Sequence, residues 1–169
     1  MHTQRRIGFI CTVGLVALVT VSASAQETQR RLTAAEIAGL SKGGAGAGTS
    51  GVSGIQTTIL SGDPTASGPY TIAIRVPAHT KIAAHTHRDD RSGVVVSGNW
   101  YFGYGDKADE SRLKVMGPGS FYTEPGNAAH FAQTRDEPAV VYITGVGPTD
   151  THYVDAAAAR RHPQSNAKP

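Results

Sequence analysis

From Ile55 onward the chain breaks into short apolar runs spaced about ten residues apart, with glycine, proline, asparagine or aspartate between them. No feature constrains the fold more, because a helix able to bury one face needs a longer uninterrupted pattern. The runs read "IQTTIL", "YTIAIRV", "KIAAHTH", "GVVVSG", "NWYFGYG", "RLKVM", "SFYTE", "HFAQT" and "AVVYITGVG". In "YTIAIRV", Tyr70, Ile72, Ile74 and Val76 fall on one face and Thr71, Ala73 and Arg75 on the other, the alternation of a half-buried strand. The pattern predicts an all-β fold, a sandwich or barrel, over residues 55–154. "SGN" at 97–99 is a tight hairpin signal, and "GDKADES" reads as a solvated hairpin tip, not an acidic ligand set.

The flanks are different. Residues 1–25 have the make-up of a secretory signal peptide: Arg5 and Arg6, an apolar run from Ile7 to Val21, and small residues at Ala23 and Ala25. The run is short for a membrane span, which needs about 20 residues. The expectation is cleavage after Ala25 and a periplasmic or secreted protein without a stable membrane anchor. Residues 26–54 form an N-terminal extension. Thr33 and Glu36 make a capping box for a short helix, with Leu32 and Ile37 placed as a hydrophobic staple. "SKGGAGAGTSGVSG" then reads as a Gly-rich linker. Residues 155–169 are the tail, with one helical turn expected at 156–161.

The only cysteine, Cys11, lies in the leader, so the mature chain has no disulfide and depends on a buried core. Removing Arg5 and Arg6 leaves 14 basic residues against 13 acidic ones. That near-balance offers no stripe for nucleic acid and no patch for a membrane surface. A small-molecule ligand is the expected partner.

His85 and His87 stand one residue apart, which on a strand aims both imidazoles at the same side. His130 lies 43 residues after His87, and a closed antiparallel barrel brings such a residue beside the pair. At these residues the chain resembles the cupins. Their first motif is Gly, five residues, His-x-His, three or four residues, Glu, six residues, Gly. Their second is Gly, five residues, Pro-x-Gly, two residues, His, three residues, Asn. This sequence keeps His85, His87 and Gly98 of the first, and Gly119, Pro125 and His130 of the second. His79, Asn127 and Thr134 replace the first glycine, the glycine after the proline, and the asparagine. Arg91 replaces the glutamate, the family's fourth ligand. The surrounding phrases are similar to small secreted bacterial single-domain cupins.

The resemblance implies an antiparallel jelly-roll barrel with a divalent transition metal held by His85, His87 and His130. Three imidazoles suit Fe(II), Mn(II), Zn(II), Ni(II) or Cu(II) without choosing among them, and leave positions open for substrate. Arg91 is the difficulty, since a like charge at about 4 Å costs on the order of 4 kcal/mol at an effective dielectric of 20. Either Arg91 turns away or pairs with Asp89 or Asp90, one of which instead reaches the metal, or it points inward and grips an anionic substrate. Two functions follow: a metal-dependent oxygenase, isomerase or lyase acting on a small anionic molecule, or a non-catalytic ligand-binding or metal-capture module. A metal-free barrel with structural histidines stays open. His79 reads as a surface residue, His152 and His162 as outside any site, and Trp100 and the inward aromatics as packing. Glu124 and Asp136 make a carboxylate pair near His130 whose separation the sequence does not fix. Cupins dimerise through sheet edges, and the strand-rich ends here permit a homodimer.

Overall fold

The computed structural model describes residues 29–162; the expected signal peptide and the last residues of the tail, 163–169, lie outside them. A short helix, α1 (Ala34–Gly39), precedes strands β1 (Gln56–Ser61), β2 (Gly68–Val76), β3 (Lys81–Thr86), β4 (Arg91–Ser97) and β5 (Trp100–Tyr104). After a 3-10 turn at Glu110–Arg112 come β6 (Lys114–Met116), β7 (Phe121–Glu124), β8 (His130–Gln133), β9 (Ala139–Gly147), β10 (His152–Tyr153) and a closing helix α2 (Ala156–Arg161). Two five-stranded antiparallel sheets result, ordered β1-β2-β9-β4-β7 and β10-β3-β8-β5-β6. From β2 to β5 the chain changes sheet at every strand, which gives the jelly roll its two layers.

The alternation in β2 survives intact. Tyr70, Ile72, Ile74 and Val76 are buried, and Arg75 is exposed. They meet Val141 and Ile143 of β9 and Val95 of β4 from their own sheet, and Trp100, Phe102, Ile82 and Ala132 from the other. Full burial of each large aliphatic side chain contributes about 1.5–3 kcal/mol. Tyr104 and Phe121 point outward.

The turn at 97–99 departs from expectation. It does not close a hairpin, because β4 and β5 belong to different sheets; it is a corner between the layers. Gly98 has φ 71°, and a Cβ there would lie 2.1 Å from the carbonyl oxygen of Pro138, so the corner needs glycine both for conformation and for space. The β5–β6 connection is a true hairpin, as the charged "GDKADES" suggested.

The capping box on α1 is present: the Thr33 hydroxyl accepts from the Glu36 backbone, and the Glu36 carboxylate accepts from the Thr33 backbone at 2.7 Å. The glycine-rich stretch is not the loose linker its composition suggested. Gly43 bridges to Thr57 of β1, and Thr49, Ser50 and Val52 are buried against the barrel. Three small, uncharged side chains were enough to pack the strap under which the histidines lie.

Candidate metal centre

His85 and His130 are direct cross-strand partners on β3 and β8. His87 follows one residue beyond the end of β3. Its position is fixed by the loop that precedes His130: the Asn127 backbone N–H donates to the His87 carbonyl at 2.7 Å, and Gly126 N–H donates to the Asp90 carboxylate at 2.7 Å. Asn127 has φ 61° and His79 φ 56°, so both positions where cupins carry glycine retain the left-handed backbone. Thr134 fastens the far end, its hydroxyl donating to Pro77 O and accepting from the Thr80 backbone.

The three rings lie with centroids 4.4 Å (His85–His130), 4.9 Å (His85–His87) and 5.2 Å (His87–His130) apart, and all three residues are buried. One ring nitrogen from each falls within 4.8 Å of the others. In every ring Nδ1 faces a backbone carbonyl: Ala83 for His85 at 2.8 Å, Asp150 for His87, and Ala128 for His130 at 3.1 Å. A carbonyl only accepts, so each Nδ1 carries the proton and each Nε2 keeps a lone pair. Burial, reinforced by neighbouring positive groups, holds the pKa of His85 and His87 well below the ordinary imidazole value, and burial also lowers that of His130. All three are neutral at physiological pH. Three neutral lone pairs thus converge, oriented by the carbonyl contacts that commonly align metal-bound histidines. His130 Nε2 is buried with no hydrogen-bond partner among the described residues, a group that an ion would satisfy. This donor set fits a divalent transition metal.

The other two Nε2 atoms meet donors from the opposite side. Ser50, in the strap, donates its hydroxyl to His85 Nε2 at 3.0 Å, and the Ser50 carbonyl accepts from Tyr153 OH. Arg91, the first residue of β4, points inward. Its Nη2 lies 2.6 Å from His87 Nε2 and 2.5 Å from Glu124 Oε2, its Nε donates to the same oxygen at 2.7 Å, and Nη1 donates to Gly48 O at 3.2 Å. Burial is the strongest single influence and works against its charge, but Glu124, Tyr70 and Asp89 together outweigh it and hold the guanidinium above its ordinary pKa. Neither Asp89 nor Asp90 is its hydrogen-bonded partner. Asp89 accepts from Tyr70 OH at 2.8 Å, and burial pushes that phenol up to about 12. Gly145 leaves room for this contact, since a Cβ there would come 2.6 Å from the Asp89 carboxylate.

Glu124 is the residue that sequence reasoning undervalued. Paired in expectation with Asp136, it instead sits opposite Arg91, its Cα partner across β4 and β7, while Asp136 is exposed in the turn after β8. Glu124 Oε2 is 3.6 Å from His130 Nε2 and 3.8 Å from His87 Nε2. His79 and His152 are exposed, and His162 packs at a tilt against Tyr153 and is not one of the three clustered imidazoles. Ser50 carried no signal beyond a place in a glycine-rich run.

No protein-family model matches the sequence, and no curated protein matches it. Among solved structures it is similar to an RmlC-like cupin from Shewanella frigidimarina, with TM-score 0.52 and 16% identity over 72% of this chain and 93% of that one. It is also similar to the DMSP lyase DddQ from Ruegeria pomeroyi, with TM-score 0.50 and 17% identity over 58% of this chain and 50% of that one. At these identities the likeness is one of fold, and the fold is the cupin jelly roll.

Proposed function

We propose that this chain is an exported cupin that holds one divalent transition metal through His85, His87 and His130 and acts on a small anionic molecule. The observation that carries the reading is the convergence of three Nε2 lone pairs whose Nδ1 protons are all committed to backbone carbonyls. A bound ion would supply Lewis acidity and, for a redox-active metal, one-electron chemistry. Arg91 and Glu124 cancel in charge, so a loaded site keeps the ion's positive charge and favours an anionic ligand. Arg91 Nη1, held among the described residues by the 3.2 Å contact to Gly48 alone, is the donor a substrate carboxylate would take over. The choice among oxygenase, isomerase and lyase rests with the metal and substrate. Export rests on the leader-like residues 1–25, and a mature protein beginning at Gln26 on N-terminal sequencing is its test. Elemental analysis of purified wild type against His85→Ala tests the main reading: one equivalent of metal, lost in the variant, supports it, and no metal in either rejects it.

The second reading is a non-catalytic binding module. It is favoured by the strap, whose Gly48 and Ser50 already contact Arg91 and His85 and cover the rings. A metal-loaded protein that binds small anions without converting them would support it.

A further inference from the structure

Building on that three-histidine reading, we propose that Glu124 is the carboxylate of the metal site, moved one strand over from the place Arg91 has taken. Arg91 and Glu124 are direct partners on adjacent antiparallel strands, so their side chains leave the sheet on one face, opposite each other. A carboxylate lost from β4 can therefore reach the same space from β7. Two ligands about 2.1 Å from one ion can lie at most about 4.2 Å apart. Glu124 Oε2 stands within that limit of His130 Nε2, at 3.6 Å, and His87 Nε2, at 3.8 Å. It lies outside the 4.8 Å that gathers all three imidazole nitrogens, so sharing an ion with His85 requires the carboxylate to move toward it.

Arg91 shows where a cation belongs. Its Nη2 touches His87 Nε2 and Glu124 Oε2 together, which are two of the atoms an ion would bridge. There the guanidinium donates to the His87 lone pair and sets its positive charge against the Glu124 carboxylate. Metal entry would move Nη2 aside while Nε keeps its 2.7 Å hold on the carboxylate, so Arg91 is a positioning residue for Glu124. The arrangement also explains how a chain can carry arginine at the ligand position without an unbalanced charge: the balancing carboxylate faces it across the sheet.

The test is Co(II) titration of the chelator-stripped protein, read by calorimetry and by visible absorption of the bound ion. The two variants compared are Arg91→Met and Arg91→Met/Glu124→Gln. With Arg91 gone from both, they differ only in the carboxylate. The single variant is expected to bind Co(II) at least tenfold more tightly, with a different absorption envelope. Equal affinities and superimposable spectra overturn the role of Glu124 while leaving the histidine site standing. No Co(II) bound by wild type or either variant overturns the histidine reading and this proposal with it. Should Arg91→Met fail to fold, the infrared difference spectrum of wild type with and without Co(II) decides, with the double variant as blank. A shifted carboxylate stretch supports the proposal, and an unshifted one overturns it.

Discussion

Removing the charge of Glu124 in the metal-free protein strands Arg91 inside the barrel. Both side chains are almost fully buried, at 3% and 4% relative exposure, and Arg91 gives two hydrogen bonds to one carboxylate oxygen. Glutamine keeps an acceptor there but not the charge. Leaving the buried guanidinium without its partner charge costs about 3–5 kcal/mol. The double substitution Arg91→Met/Glu124→Gln removes both charges, and its stability is expected within about 1 kcal/mol of wild type. Urea unfolding in chelator checks this. With a slope of about 2 kcal/mol per molar, Glu124→Gln should lower the midpoint by about 1.5 M or more, and the double variant should restore most of it. A shift under about 0.5 M for the single variant, or a double variant no more stable than the single, refutes the argument that the pair is an isolated, mutually dependent charge couple.

Other outcomes follow from the same geometry. The unfolded chain protonates its histidines near 6.5, whereas His85, His87 and His130 stay neutral in the fold. Stability of the metal-free protein should therefore be full above about 6.5 and fall below it by up to about 4 kcal/mol per pH unit. Flat urea midpoints between about pH 7.5 and 5.5 would contradict this. Ser50→Ala frees His85 Nε2 from a hydroxyl at 3.0 Å, so Co(II) affinity should rise by about threefold to tenfold; calorimetry showing a fall instead would make Ser50 a ligand. Gly98→Ala, with its Cβ 2.1 Å from a backbone oxygen, should destabilise by more than about 2 kcal/mol, while Gly119→Ala, at φ 83° with nothing within 4 Å, should cost about 1 kcal/mol. Equal costs measured by thermal unfolding would remove the steric argument for the corner.

Much of the architecture was legible because strand periodicity is local. The buried face of β2, the β5–β6 hairpin and the capping box of α1 each follow from residues within a few positions of one another. The corner at Gly98 was misread because a left-handed glycine serves a hairpin and a change of sheet equally well, and only the pairing partners tell them apart. The three histidines could be named because their spacing carries a motif. Glu124 could not be placed the same way, since its meaning depends on the register of β4 against β7, which no local pattern encodes. The strap was harder still. Glycine and serine usually signal solvent-exposed chain, yet Ser50 has φ 61° and lies buried on a site histidine. Small residues let the backbone come close enough for that contact.

The most direct measurement is an anomalous difference map from crystals of the protein loaded with a single transition metal. The account predicts one strong peak bonded to Nε2 of His85, His87 and His130 together, at about 2.1 Å from each. A peak elsewhere, or none under conditions where metal is present in excess, would contradict it.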